Sequence, residues 1–241
     1  MNRTVVRLTL RGLVGRRRVL FLLALPAVLL ALVALTRALV GSDEEVAVAL
    51  LGGFALGTVL PLLGVIAGTG AIGPEIDDGS IVYLLSKPLS RHSIVVSKLA
   101  VAVAVVTALG ALPILVAGLL LVGTEHNLAV GYAVGAAVAG LAYCALFLLL
   151  AVLTRNAVVL GLLYALVWET LVGQLVPGAQ ALSVQQWSLA LTERIVAEPA
   201  EQLGAASAVG LVAVPLLAVV ILGSTWYAGA RLRTLRVSTE A

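Results

Sequence analysis

Six long apolar segments constrain the fold of this chain more than any other feature. A membrane-spanning helix needs about 20 consecutive, mostly apolar residues. Six segments meet this requirement: residues 19–40, 46–72, 99–123, 128–153, 157–176 and 205–228. Charged residues make up only 11% of the chain, against about a quarter in soluble domains, so these segments need lipid as their solvent. The sequence therefore predicts an all-α, polytopic membrane helix bundle whose single transmembrane domain spans residues 1–241.

The distribution of charge predicts how this bundle lies in the membrane. All but two of the 15 basic residues fall on one side of the six spans, the exceptions being Arg37 and Arg194. Lys and Arg are enriched on the cytoplasmic side of membrane proteins, and an even number of spans places both termini on the same side. We therefore expect a multi-pass protein of the cell (inner or plasma) membrane with both termini in the cytoplasm. The loop of residues 73–98 would then be cytoplasmic and that of residues 177–204 extracytoplasmic.

The first 18 residues have a helical pattern of their own. Arg3, Arg7 and Arg11 recur every four residues and share one helical face, while apolar residues such as Val6 and Leu10 fall on another. This pattern predicts an amphipathic helix, residues 1–18, that lies in the cytoplasmic interface with its arginines among anionic lipid headgroups. An ordinary positively charged tail is an equally good interpretation. A cleaved signal peptide fits less well, because no small-x-small cleavage site follows the apolar stretch.

No residue pattern predicts a catalytic centre. Gly68, Gly70 and Gly73 match GxGxxG, but a dinucleotide site needs a preceding strand, so we interpret them as the exit of the second span before Pro74. The sequence contains no phosphate-binding GxxxxGK[ST] motif. The net charge of +3 reflects cytoplasmic loops and predicts no nucleic-acid surface. We therefore expect a chain that is no enzyme and that binds no metal or cofactor itself.

Several small residues are spaced four apart within the spans. Such pairs let helix backbones approach closely, and we interpret them as packing sites rather than as ligand sites. The pairs are Gly53 with Gly57, Gly64 with Gly68, and Gly131 with Gly135.

Two further features lie in the second half of the sequence. Glu169 is the one acid inside a predicted span, and a membrane-buried carboxylate is expensive enough to indicate a role. That role is either structural, through a hydrogen bond or an ion pair with Arg37, or the polar lining of a translocation path. Residues 177–204 mix apolar and polar side chains, so we expect one or two short helices that dip into the outer interface with Trp187 as an anchor.

The loop between the second and third spans is the most specific segment of the sequence. It reads EIDDGSIVYLLSKPLSR from Glu75. Residues 80–87 can form a short helix that Pro88 ends, and Ser90 can then cap a helix that continues into the third span. A short, half-apolar helix presented along the membrane suits the groove of a soluble partner.

This loop resembles that of the ABC transporter permeases of the type-two (ABC-two) exporter family, which reads E-x-x-x-G-[ST]-I-x-Y-L-L-S-x-P-x-S-R and is followed by a lysine. The matching residues are Glu75, Gly79, Ser80, Ile81, Tyr83, Leu84, Leu85, Ser86, Pro88, Ser90, Arg91 and Lys98. The resemblance extends to the six-span topology, the N-terminal interfacial helix and the outer loop. It implies a fold like that of type V ABC exporters, in which the loop forms a cytoplasmic coupling helix.

The same resemblance implies the partners and the activity. A coupling helix docks on a separate ABC ATPase subunit, here through Glu75, Gly79, Ser80, Ile81, Tyr83, Leu84, Leu85, Pro88 and Arg91. Two copies of that subunit would bind ATP and Mg²⁺ and would join two permeases, either two copies of this chain or this chain and a related one. ATP hydrolysis would then drive substrate export. The alternatives are a non-transporting membrane anchor or sensor for a soluble ATPase complex, and a lipid-modifying membrane enzyme.

Overall fold

The computed structural model describes residues 3–13, 15–80, 90–124, 127–172, 180–196, 210 and 212–234. In these ranges the chain is helical and contains no strand. The helices are α1 (Arg3–Leu13), α2 (Arg16–Leu39), α3 (Glu44–Asp77), α4 (Arg91–Val122), α5 (Leu128–Leu153), α6 (residues 157–172), α7 (Val184–Glu193) and α8 (Ala213–Thr234).

Length and composition make most of these helices suitable for crossing a membrane. Five of the described helices, α2, α3, α4, α5 and α8, are long and apolar enough to do so. The predicted span of residues 157–176 corresponds to α6, which is described only as far as residue 172. The prediction of an all-α, polytopic helix bundle is confirmed.

Helix α5 is the centre of the bundle and packs against α3, α4, α6, α7 and α8. Its closest neighbour is the second half of α3, where glycines remove the side chains that would separate the two backbones. A Cβ at Gly64 would lie 2.7 Å from the Cβ of Tyr143, and a Cβ at Gly68 would lie 2.9 Å from that of Phe147. The interpretation of Gly64 and Gly68 as packing residues is confirmed.

Helix α3 passes through a proline that we expected to end it. Proline cannot donate a hydrogen bond to the carbonyl four residues earlier, which for Pro74 is that of Gly70. In the structure Arg18 Nη1 of α2 donates to this carbonyl oxygen at 3.3 Å, and α3 continues to Asp77. The predicted helix exit at residues 68–73 is therefore wrong, because a side chain from another helix satisfies the freed carbonyl.

Two other prolines follow stretches of wider, π-helical turns. Residues Ala49–Val59 of α3 precede Pro61, and residues Thr107–Ala111 of α4 precede Pro113. In each case the residue just before the proline donates its N–H to the carbonyl five residues earlier, from Leu60 to Ala55 and from Leu112 to Thr107. These wider turns let both helices continue through positions where an α-helical bond is missing.

The two helices that flank the loop between the second and third spans are longer than predicted. Helix α3 has 34 residues and α4 has 32, so each is roughly 50 Å long, against about 30 Å for the apolar layer of a bilayer. The expected loop of residues 73–98 shrinks to residues 78–90, because α3 extends to Asp77 and α4 begins at Arg91. These extensions form a two-helix stalk, residues 71–77 of α3 and 91–98 of α4, that carries the loop.

The N-terminal helix packs on this stalk. Helix α1 contacts both α3 and α4, and it buries Thr9 and Leu13 while Arg7, Leu8 and Leu10 remain exposed. The expected helical pattern of residues 1–18 is thus present from residue 3 to residue 13.

The segment of residues 177–204 contains a helix that enters the bundle. Every residue of α7 from Val184 to Ala190 is buried, and Trp187 is only 4% exposed, with its Nε1 donating to the carbonyl of Ala181 at 2.9 Å. The expectation of an interfacial helix anchored by Trp187 is therefore wrong. Polar side chains of α7 make this burial possible because they bond to main-chain carbonyls that glycines expose, such as Gln185 Nε2 to the oxygen of Gly52 at 2.8 Å.

Candidate functional site

The structure describes both ends of the loop that carries the family motif. On the α3 side Gly79 has a positive φ of +69°, a backbone conformation that glycine adopts without strain, and Ser80 is exposed. On the α4 side Ser90 caps the helix, since its Oγ accepts the N–H of Ser93 at 3.3 Å. The predicted cap at Ser90 is confirmed. The motif residues Ile81, Tyr83, Leu84, Leu85, Ser86 and Pro88 lie outside the described residues.

A buried lysine joins the two sides of the stalk. Lys98 of α4 is fully buried, and its Nζ lies 2.6 Å from Glu75 Oε1 of α3. The same Nζ donates to the carbonyl of Ala71 at 2.7 Å and contacts the hydroxyl of Thr9 in α1 at 3.5 Å. Lys98 of α4 therefore binds residues of both α1 and α3 at the base of the loop.

The ion pair has the geometry that a buried charge requires. An ammonium group removed from water is tolerated only when it is paired and when its remaining protons find acceptors. Lys98 has three donor protons, and Glu75, Ala71 and Thr9 offer three acceptors at different positions. Glu75 is 27% exposed, so the pair lies at the boundary between the bundle and water.

Two polar atoms at the loop base have no hydrogen-bond partner in the described part of the chain. These atoms are Glu75 Oε2 and Arg91 Nη1, and both are buried. Both residues belong to the sequence motif. Because an unpaired buried polar atom is costly, a further donor at Glu75 and a further acceptor at Arg91 would stabilise this region.

A second polar cluster lies at the opposite end of the bundle, around Glu169. This carboxylate is fully buried. Its Oε1 accepts the hydroxyl of Tyr164 at 3.0 Å and the backbone N–H of Val184 at 3.1 Å, while Oε2 accepts the hydroxyl of Ser183. Ser183 Oγ in turn accepts the N–H of Gln186 at 3.3 Å. Glu169 thus binds the first turn of α7, where the exposed N–H groups and the helix dipole favour a negative charge.

Arg37 does not belong to the polar cluster around Glu169. Its Nη1 donates to the carbonyl of Leu121 at 3.2 Å, in the last turn of α4. The structure therefore does not bring Arg37 and Glu169 together, and Arg37 binds a helix C-terminus, where a cation is favoured.

Glu75 and Lys98 are recognisable in the sequence as motif positions, but their pairing is not. Nothing in the spacing of two residues on different helices reveals that they form a buried ion pair. The start of α7 did have a local signal. Ser183 followed by Gln186 is the S-x-x-Q capping pattern that marks helix N-termini.

Comparison with known proteins identifies the family of this chain. Residues 10–227, almost the whole chain, match the family model described as ABC-2 family transporter protein. No curated protein matches the chain. Membership of this family implies a multi-pass membrane permease of an ABC transporter that associates with an ABC ATPase subunit. The chain belongs to the ABC-2 family of transporter proteins.

Proposed function

We propose that this permease exports its substrate by coupling to ATP hydrolysis in a separate subunit, through the loop of residues 78–90. The observation that carries the proposal is the stalk below the loop. It projects beyond the apolar part of α3 and α4, and the Lys98–Glu75 ion pair holds its two helices together. A braced stalk can transmit a push from a docked partner without bending.

A force applied to the loop would be transmitted through the contacts between the packed helices of the bundle. Both stalk helices contact α5, and α3 makes its closest approach to α5 at Gly64 and Gly68. Closely packed helices move as rigid elements. Movement of the loop therefore moves α3, α4 and α5 together relative to a second permease in the assembly.

The proposed assembly contains two permeases and two ATPase subunits. The second permease is another copy of this chain or a related one. ATP and Mg²⁺ bind to the ATPase subunits, and this chain itself hydrolyses nothing. The loop and both termini lie in the cytoplasm, which is the orientation that the basic residues favour.

The docking role of the loop can be tested by co-purification with the ATPase subunit. We expect replacement of Tyr83, Leu84 and Leu85 by Asp to abolish co-purification, because charged side chains would not enter an apolar groove. Residues 154–156, in the short connection between α5 and α6 on the same side of the bundle, offer a matched control with three added Asp residues. If the loop variant retains the ATPase as well as the control does, the docking proposal is wrong.

The orientation can be tested by labelling with a membrane-impermeant maleimide. Cys144 is the single cysteine and is buried, so single cysteines can be introduced in a Cys144→Ala background. Ser80 and Ser42 are both exposed and lie at opposite ends of α3. In intact cells we expect labelling of Ser42→Cys and none of Ser80→Cys. The reverse pattern would overturn both the cytoplasmic location of the loop and the coupling mechanism.

The direction of transport can be tested in proteoliposomes. A complex whose ATPase faces the external solution should accumulate substrate inside the vesicles when ATP is added outside. ATP-dependent loss of substrate from preloaded vesicles would indicate import and contradict the proposal.

A further inference from the structure

An apolar groove opens on the surface of the bundle near the loop. It has a volume of about 410 Å³ and lies between α1, the beginning of α2 and the middle of α4. This volume falls in the range of about 300–1,000 Å³ that is typical of small-molecule sites. Its lining is apolar throughout and consists of Leu10, Val19, Leu22, Leu23, Ala104, Val105, Ala108 and Leu109.

The groove results from two features of α4. Ala104 and Ala108 stand one turn apart and present only methyl groups, which leaves space where larger side chains would reach α2. Ala108 and Leu109 also belong to the π-helical segment Thr107–Ala111. A π-helical turn displaces the following side chains relative to an α-helix, and such turns are frequent at functional sites.

The chemistry of the lining restricts what can occupy the groove. A polar ligand or an ordered water would find no hydrogen-bond partner among these side chains, which makes its burial unfavourable. A hydrocarbon chain has no such requirement. Since the groove lies on the outside of α2 and α4, which face lipid, an acyl chain from the bilayer is the available hydrocarbon.

The charges around the groove specify the headgroup. The first 42 residues contain no Asp or Glu. Arg7 is exposed and lies one helical turn before the lining residue Leu10. Arginine is well suited to bind phosphate oxygens, and basic clusters at the membrane surface favour anionic lipids.

We propose that the groove binds one acyl chain of an anionic phospholipid, with the phosphate against Arg7. The site lies in the leaflet on the loop side of the bundle. Its occupant would hold α1 against α4, next to the contact between Thr9 and Lys98. The proposal does not depend on the direction of transport or on docking of the ATPase.

The test measures phospholipid retained by the full-length permease after purification in detergent. Native mass spectrometry is performed after titration with phosphatidylglycerol or phosphatidylcholine of identical acyl chains. We expect one tightly held phosphatidylglycerol per permease and clearly weaker binding of phosphatidylcholine. Ala108→Phe should fill the groove and lower retention of phosphatidylglycerol at least fivefold. Ala31→Phe adds the same bulk to an exposed position of α2 away from the groove and should leave retention unchanged.

A charge variant tests the headgroup separately. Arg7→Gln should reduce the preference for phosphatidylglycerol about fivefold, which is the order of magnitude that one basic residue contributes near an anionic surface. Arg155→Gln removes an exposed charge from the connection between α5 and α6 and should have no such effect. Because Arg7 is exposed, this pair of variants remains informative even if Ala108→Phe fails to fold.

Four outcomes would overturn the proposal. Equal binding of the two lipids would remove the role of Arg7, and equal loss with Arg7→Gln and Arg155→Gln would indicate general surface charge instead of a site. Retention of lipid in well-folded Ala108→Phe would remove the groove as the location. If Ala108→Phe instead separates permease dimers without changing lipid content, a second permease covers the groove.

Discussion

Glu75→Ala should destabilise the permease more than Lys98→Met does, although each substitution removes the same ion pair. The two partners differ in their access to water, since Lys98 is fully buried and Glu75 is 27% exposed. Removal of Glu75 leaves an ammonium group in the bundle with only the carbonyl of Ala71 and the hydroxyl of Thr9 as acceptors. Removal of Lys98 leaves a carboxylate on a side chain that is already partly exposed to water.

The structure sets the expected magnitudes. Removing one partner of a buried pair and leaving the other charge behind costs about 3–5 kcal/mol, which is the expectation for Glu75→Ala. Lys98→Met keeps most of the apolar stem and loses hydrogen bonds that are each worth about 1 kcal/mol net, so about 1–2 kcal/mol is expected. The double variant should resemble Lys98→Met to within about 1 kcal/mol, so the coupling energy should about equal the cost of Glu75→Ala, about 3–5 kcal/mol.

The assay is the free energy of unfolding of the purified permease, measured by titration with sodium dodecyl sulfate in mixed micelles and followed by circular dichroism. Asp77→Ala is the matched control. Asp77 is an exposed acid in the same helical turn region as Glu75, and an acid at a helix C-terminus is slightly unfavourable. This substitution should therefore change the free energy by less than about 0.5 kcal/mol.

The relative loss of unfolding free energy in the two single variants tests whether burial of Lys98 makes the ion pair important. Equal destabilisation, or a larger loss for Lys98→Met, would show that burial of Lys98 is not what makes the pair important. A double variant as unstable as the sum of the single variants would show that the two side chains act independently, in which case the stalk is not braced by this pair.

Three further predictions concern the rest of the bundle. Glu169→Ala should lower the free energy of unfolding by about 2–4 kcal/mol and increase hydrogen exchange in α7, because the hydroxyl of Ser183 loses its acceptor. Glu169→Gln keeps one acceptor oxygen, so this variant should assemble normally while its transport activity falls. Gly135→Val should lower the unfolding free energy by more than about 2 kcal/mol because its side chain would collide with α7, whereas Gly53→Val, with no atom within 4 Å of an added Cβ, should cost less than about 1 kcal/mol. Arg37→Ala should cost about 1 kcal/mol, the value of one hydrogen bond, and should leave hydrogen exchange in α7 unchanged.

The features that could be predicted from the sequence depend on local patterns. The length of an apolar segment is sufficient to predict a spanning helix, and the helices α2 and α5 follow the predicted segments closely. The cap at Ser90 depends on a residue three positions away. Pairs of glycines four apart marked the contact of α3 with α5, because one helical face is determined by spacing alone.

The features that were missed depend on partners far apart in the chain. Helix α3 continues past Pro74 because Arg18 of another helix reaches the carbonyl of Gly70. Helix α7 lies inside the bundle because glycines of α3 and α5 leave room for its polar side chains, as with Thr192 Oγ1, which donates to the carbonyl of Gly131 at 3.2 Å. Neither arrangement has a signature in the segment that it affects. Hydropathy alone therefore predicts a helix end before Pro74 and an interfacial position for α7.

These long-range contacts connect the two polar clusters through a single helix. Helix α3 has Glu75 near one end, paired with Lys98, and Gly52 near the other, bonded to Gln185 of α7. The two positions are 23 residues apart, or roughly 35 Å along the helix axis. Any displacement of α3 by a partner at the loop must therefore either move α7 or be absorbed within α3. The π-helical turns of Ala49–Val59 lie at the α7 end, which makes that end the place where such a displacement would be absorbed, while the α-helical remainder between Leu60 and the loop moves as one piece with α5.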